Sequence, residues 1–284
     1  MKTRDRQVLL HIILLALVLI SIFPIIFSIS NSFKTLQDSF NNILSLVPKE
    51  FTLENYKYVF GRLPIFKIIL NTFIIAFMVS SIKILTSILV AYSFVYYDFR
   101  GKNFIYLVFL ATMFIPFTVT MIPNYLIVSK LKLSNTIWGV MLPQFAKVLR
   151  IFLLRQSMKT IPASLIEVSK IDGVDEWIIL KNIILPIIKS SIVSTAIIFF
   201  INSWNEYVWS VLIISSQDNY TLSPALQMFI SSESGTDFPI AMAVSVMTMI
   251  IPLILFKFSK DMLFLHEFIQ LFVKASGENL EVLN

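Results

Sequence analysis

The sequence has no cysteine in its 284 residues, so disulfides, thiolate nucleophiles and cysteine-based metal sites are excluded. Charge is also scarce. Asp, Glu, Lys and Arg make up 14% of the chain, against about 25% in soluble domains. The six glycines are scattered, and none opens a Gly-x-x-x-x-Gly-Lys run whose backbone N–H groups cradle nucleotide phosphates. Histidine occurs twice. His266-Glu267 begins like a zinc-protease motif, but Gln270 stands where the second histidine is required, so no metal site is expected there. No cofactor is expected on this chain, and any ATP with its Mg must bind another one.

Apolar residues are what the chain has in place of charge. Hydrophobic types reach 57% and the mean hydropathy is +0.81, which reads as an all-α polytopic membrane protein. A single transmembrane domain over residues 1–284 has room for about six helices of roughly 20 residues each. The formal charge of +6 then marks cytoplasmic loops and contact with membrane lipid, and no nucleic acid is expected as a partner.

Apolar runs place the spans at residues 8–29, 67–95, 104–128, 137–154, 187–215 and 238–258. The first run follows Lys2, Arg4 and Arg6 but is longer than a secretory core and ends without a small-residue cleavage site, so it reads as an uncleaved span. Pro116 and Pro123 are expected to kink the third run. Lys147, Arg150, Arg155 and Lys159 cluster at the end of the fourth, whereas residues 217–237 carry Asp218, Glu233 and Asp237 without Lys or Arg. By the positive-inside bias, both termini, the turn at Arg100 and the loop 160–186 are cytoplasmic, while Asn41 and Glu233 are external.

Residues 161–186 interrupt this apolar pattern with a charged, amphipathic stretch. Pro162 suits a first helical turn, and Ser164 three residues before Glu167 has capping-box spacing. Leu165, Ile166, Val168 and Ile171 are apolar contacts on that helix, Asp172-Gly173 ends it, and Asp175 caps a second run to Leu185. Helix, glycine turn, helix is the expected unit, placed between the fourth and fifth spans.

Glu167, Gly173, Ile183, Leu185 and Pro186 resemble, in type and spacing, the loop pattern E-A-A-x(3)-G-x(9)-I-x-L-P of ABC-importer membrane subunits, with Val168 and Ser169 in place of the alanines. The runs SWNEYVW at 203–209 and YTLSPAL at 220–226 are similar to those of the carbohydrate-uptake branch, in particular the second permease of maltose-type systems. This resemblance implies a permease subunit that moves a sugar by alternating access. It also implies four kinds of partner: a second similar permease, a cytoplasmic ATPase dimer, an extracytoplasmic solute-binding protein and the sugar itself. Leu165, Glu167, Ser169, Asp172, Gly173, Leu185 and Pro186 are then the ATPase-coupling residues of a loop that docks as a short helix.

Glu206 stands in an apolar run, where an ionisable side chain normally faces a cavity or a partner. Asn202, Asn205 and Glu206 offer hydrogen bonds to a polyol, and Trp204, Tyr207 and Trp209 offer flat apolar faces; Asn202, Trp204, Asn205, Glu206 and Tyr207 are the candidate substrate path. Interfacial aromatic belts and polar helix contacts explain the same residue types. The same machine carrying glycerol phosphate or another polar solute is an alternative, although no basic cluster within the membrane favours an anion. A membrane-embedded enzyme using Glu206, Asn205 and His266 is the remote one, because His266 lies on the cytoplasmic tail, far in depth from Glu206.

Overall fold

The computed structural model describes residues 3–146, 151–230 and 237–257, so Lys147, Arg150, Glu233 and the tail bearing His266 and Gln270 lie outside the described residues. In chain order the helices are α1 (Thr3–Ser32), α2 (Leu36–Asn41), α3 (Glu54–Arg62), α4 (Ile65–Tyr96), α5 (Lys102–Thr112), α6 (Phe117–Lys130) and α7 (Ile137–Met141). A 3-10 turn at Leu142–Ala146 precedes α8 (Ile151–Lys159), α9 (Ala163–Ile171) and α10 (Glu176–Ile179). A π-helical turn at Leu180–Ile184 joins α10 to α11 (Leu185–Ile187), followed by α12 (Lys189–Trp204), α13 (Val208–Ile213) and α14 (Leu222–Ile230). The last described helix is α15 (Phe238–Lys257). No strand occurs among the described residues, and Lys34 with Phe51 forms an isolated bridge.

Three helices are long and apolar enough to cross a membrane unbroken: Gln7–Ser32 within α1, α4 and α15. Two bent pairs raise the number to as many as five among the described residues. The expected span 104–128 is one of these, since α5 ends at Thr112, Pro116, extended at ψ 144, caps α6, and the two helices meet at 96°. Pro116 therefore breaks the run outright, while α6 continues through Pro123. The expected span 187–215 is the other. Its first residue, Ile187, ends the helix Glu176–Ile187, which is bent by 79° from α12, and its last part is divided from α12 at residues 205–207. Residues 137–154, expected as one span, hold α7, the 3-10 turn and the start of α8.

The contacts divide the chain into residues 1–70 with 220–252, and 71–219 with 253–284. In the first unit α1 exposes apolar side chains from Val8 to Ile29, as a helix immersed in lipid does. Its C-terminal end leads into a polar knot. Lys34 is fully buried, and its ammonium donates to the carbonyls of Asn42 at 2.9 Å and Ser45 at 2.7 Å. Asp38 accepts from the Lys49 N–H at 2.9 Å and from Asn42 Nδ2 at 3.0 Å. Burial pulls the Asp38 carboxyl upward, but the donors from Lys49, Asn42 and Glu50 and the charge of Lys34 outweigh it and hold the group below its ordinary value. Burial also lowers Lys34, against the opposing pull of Asp38. Phe33 stacks on Phe51 at 5.0 Å, which closes the segment.

In the second unit α4 is the spine. Its 32 residues span about 48 Å at 1.5 Å per residue, more than the roughly 30 Å of hydrocarbon. Ala76, Ser80, Ser87 and Ala91 are buried along it, small side chains that let neighbouring helices approach closely. Lys83 is buried among them and its ammonium lies 5.5 Å from the Phe199 ring centroid. A reverse connection before α7 is tied to the end of α13. Asn135, at φ 58, receives Ser215 and Ser216 N–H groups on Oδ1 at 3.1 and 3.0 Å, and its own N–H donates to the Ile213 carbonyl at 2.8 Å.

Candidate functional site

The loop 160–186 folds as two short helices joined at a glycine. Pro162 is the N-cap of α9, at φ −58 and ψ 130, and no side chain caps this end. The Ser164–Glu167 capping box is therefore not formed: the helix begins at Ala163, which puts Ser164 inside the first turn, where its hydroxyl cannot serve as the cap. The C-terminus follows the sequence signal closely. Gly173 has φ +71, its N–H donates to the Lys170 carbonyl at 3.1 Å, and the Val174 N–H donates to the Ser169 carbonyl at 3.1 Å. These two bonds define a Schellman ending, with Asp172 as the last residue before the left-handed position. Asp175 then caps α10 by accepting the Trp177 N–H at 2.7 Å.

Packing splits the face of α9. Ile166 and Ser169 are buried, while Leu165, Val168 and Ile171 are exposed, Ile171 to 83%. The Ser169 hydroxyl turns back onto the Leu165 carbonyl at 2.8 Å, so the small residue lies where the helix meets the bundle and the larger Val168 faces away. Glu167 is exposed, and its carboxylate has no ion-pair partner among the described residues. Across the turn Lys170 meets Glu176 at 3.5 Å, both about four-tenths exposed, a pair worth at most about 1 kcal/mol. Trp177, 63% exposed, adds an aromatic ring to the outward surface. Sequence reasoning missed it, although a lone Trp just past an Asp N-cap on a charged loop is a visible signal.

Beneath α9 and α10 lies one apolar cluster that takes Ile166, Ile179, Leu180 and Ile184 from the loop, Ile88, Ala91 and Tyr92 from α4, and Leu154 and Met158 from α8. Leu185 packs at its edge, whereas Pro186 is exposed. Pro186 has no N–H and its ring crowds the carbonyl four residues back. The chain widens just before it, with the Leu185 N–H donating five residues back to the Leu180 carbonyl, the signature of a π-turn.

The second candidate group surrounds the end of α12. Trp204 is 2% exposed and stacks on Phe200 at 5.7 Å, so its faces are taken up within the unit. Asn202, Asn205 and Tyr207 are exposed and Glu206 is half-buried. Asn202 and Asn205, three apart, share the helix face turned away from Ser203 and Trp204. Glu206 has a structural role, because its Oε1 accepts the Trp209 N–H at 3.1 Å and its carbonyl accepts the Ser210 hydroxyl at 3.0 Å, which caps α13. Behind the turn, Ser203 donates to Gln144 Oε1 at 3.0 Å and the Trp209 indole donates to the Gly139 carbonyl at 3.1 Å. Sequence reasoning does not single out Gln144, because a glutamine in an apolar run carries no spacing signal. No group of three or more His, Asp or Glu side chains suited to a metal occurs among the described residues.

Comparison with known proteins identifies the family and the fold. The family described as binding-protein-dependent transport system inner membrane component matches residues 83–264. The arabinooligosaccharides transport system permease protein AraQ of Halalkalibacterium halodurans is 32% identical over 242 residues, 84% of this chain and 86% of that protein. The sn-glycerol-3-phosphate transport system permease protein UgpE of Yersinia pestis is 31% identical over 261 residues, 88% and 92% of the two chains. Among solved structures, a chain of a bacterial ABC transporter involved in the import of the acidic polysaccharide alginate has the same fold, with a TM-score of 0.74 at 20% identity over 91% of this chain and 96% of that one. The MetNI methionine ABC transporter is a more distant likeness, with a TM-score of 0.57 at 13% identity over 75% and 98% of the two chains. This chain belongs to the binding-protein-dependent transport system inner membrane components, the permease subunits of ABC importers, in which ATP hydrolysis is carried by a separate chain.

Proposed function

We propose that this permease carries a sugar or oligosaccharide by alternating access, paired with a second, similar permease and driven by a cytoplasmic ATPase dimer that holds ATP and Mg. An extracytoplasmic solute-binding protein delivers the substrate, and both termini and the loop 160–186 are cytoplasmic. The observation that carries the reading is the two-sided α9: Ile166 and Ser169 are fixed in the bundle while Glu167, Val168 and Ile171 are presented outward. A short helix held this way fits a groove of the ATPase, with apolar anchors for affinity and charge for register. Leu165, Asp172, Gly173, Leu185 and Pro186 set the shape of that docking unit. Asn202, Asn205, Glu206 and Tyr207 line the path, since asparagines exposed on a membrane helix need a cavity or a partner to satisfy them; Trp204 backs them.

Val168→Glu and Ile171→Glu test the docking, because both side chains are exposed and neither change disturbs the core. ATPase co-purification should fall with membrane levels unchanged, and wild-type co-purification would remove α9 from the interface. A single cysteine at Glu167 should be labelled only from the cytoplasmic side, and one at Asn41 only from outside.

A specific observation favours a second reading, in which the solute is anionic, as glycerol phosphate is. Lys83 is buried in α4 against Phe199 of α12, one turn from Asn202. Uptake of labelled neutral arabino-oligosaccharides and of glycerol 3-phosphate in a strain lacking the native systems separates the two. Transport of the phosphate alone, lost in Lys83→Gln, would replace the neutral-sugar reading.

A further inference from the structure

Beside the loop 160–186, the end of α4, the start of α5 and the end of α8 line an open cavity of about 470 Å³. Its polar lining is cationic: Lys102, Arg155 and Lys159 stand against one carboxylate, Asp98. Lys102 already engages that carboxylate at 3.1 Å and the Tyr97 carbonyl at 2.7 Å. Arg155 and Lys159 have no carboxylate within ion-pair distance among the described residues. The Arg155 guanidinium carbon lies over Tyr106, 4.1 Å from the ring centroid, and its Nε is buried without a hydrogen-bond partner. Stacking fixes the plane of an arginine and leaves its edge donors for an oxyanion.

The same cavity is bordered by the first turn of α5, from Gly101 to Phe104. This 11-residue helix starts behind a left-handed Gly101 with no side-chain cap, so its N-terminal dipole adds to the positive field. The other walls are apolar, made by Phe94, Val95 and Phe104. From Phe104 an exposed apolar strip continues along α5 through Leu107 and Val108.

We propose that this cavity holds the phosphate of an anionic membrane phospholipid, with its acyl chains lying along α5. The apolar strip selects a lipid over free phosphate, and the excess of cations selects an anionic headgroup over a zwitterionic one. The assignment rests on the reading that this end of the bundle is cytoplasmic, where anionic lipid faces it. It does not depend on the transported solute.

The complete importer, purified from vesicles containing phosphatidylethanolamine with either phosphatidylglycerol or phosphatidylcholine, is analysed by native mass spectrometry for retained lipid. Retention of phosphatidylglycerol in preference to both other lipids is expected. Arg155→Gln and the exposed Lys159→Gln should each lower it about fivefold, and Arg155→Lys should keep part of it. Equal retention of neutral lipid, or full retention in both glutamine variants of the assembled importer, would overturn the proposal. Displacement of the lipid by millimolar inorganic phosphate would overturn it too, by assigning the cavity to the free anion. Failure of the sugar reading in uptake assays leaves these outcomes unchanged, so the two claims fail separately.

Discussion

Gly173 offers the sharpest test of how the loop works, because its cost can be worked from backbone geometry alone. The residue has φ +71, and a Cβ built on it meets nothing within 4 Å. A side chain there is therefore penalised by conformation and not by collision. The left-handed region costs an ordinary L-residue about 1–2 kcal/mol, with Ala near the lower figure, a β-branched residue near the upper one, and Asn below both. If the ATPase binds only the native turn, apparent affinity falls in proportion to the fraction of molecules that keep it. About 1 kcal/mol then corresponds to at most about fivefold for Gly173→Ala, and about 2 kcal/mol to about 30-fold for Gly173→Val. These are upper bounds, because Val174 and Ile166 pack against the cluster beneath and hold the turn when its backbone is strained.

The measurement is the dissociation constant of the purified permease pair for its ATPase, with membrane level and uptake taken on the same preparations. The expected order is wild type, Gly173→Asn, Gly173→Ala, Gly173→Val, with membrane levels constant because the turn lies outside the lipid-held spans. Equal affinity for the Asn and Val variants would refute the backbone argument. Loss of Gly173→Val from the membrane would show that the turn serves insertion instead of coupling.

Three further outcomes follow from the same structure. A Cβ on Gly139 would press on the Leu133 carbonyl and lie 3.0 Å from Ile213 Cγ2, so Gly139→Ala should destabilise the purified protein by about 1–3 kcal/mol, seen as a lower Tm; an unchanged Tm would show that this packing yields. Glu206→Gln retains an oxygen acceptor for the Trp209 N–H and should keep Tm within a degree or two, whereas Glu206→Ala loses the cap and about 1 kcal/mol; normal uptake by Glu206→Gln would confine the residue to capping. Asp38 has a lowered pKa in the folded state, so its contribution is present above about pH 3.8 and fades as pH falls through the lowered value. The protection factor of the Lys49 amide, its exchange rate taken relative to the intrinsic rate at each pH, should fall only in that acid window, and a fall beginning near neutral pH would contradict it.

The two candidate groups were legible in the sequence to different depths, for a physical reason. Gly173 and Asp175 obey local rules, a left-handed C-terminal glycine and an N-cap aspartate, and both occur where expected because no distant contact competes. Ser164 and Glu167 have the right spacing for a capping box, yet with Pro162 as N-cap the helix starts two residues too early for it. Apolar runs locate the membrane segments but hide their breaks. Hydropathy averages over side chains, whereas the 96° and 79° bends fall at the break before Pro116 and at Ile188, which leaves helical geometry at ψ 14. Trp204 reads as an open stacking face and is enclosed, since a run of seven residues does not say which side of the helix meets the bundle.

The proposed coupling has a physical route from the glycine turn into the bundle. The inward side of the loop shares one apolar cluster with the last three turns of α4 and with α8, and the Tyr96 hydroxyl donates to the Met158 carbonyl at 3.1 Å. The α8 end is linked onward, since Ser157 donates to Ser191 of α12 at 3.0 Å. Close-packed contacts of this kind transmit displacement because sliding one element opens voids that cost free energy. From Lys189, α12 runs without a break for 16 residues, about 24 Å at 1.5 Å per residue, and ends at Asn205 and Glu206. If α9 docks on the ATPase as proposed, a displacement of α9 would reach α12 through these contacts, and the bend at Ile188 would be the joint between the loop helices and the helix that leads to the exposed asparagines.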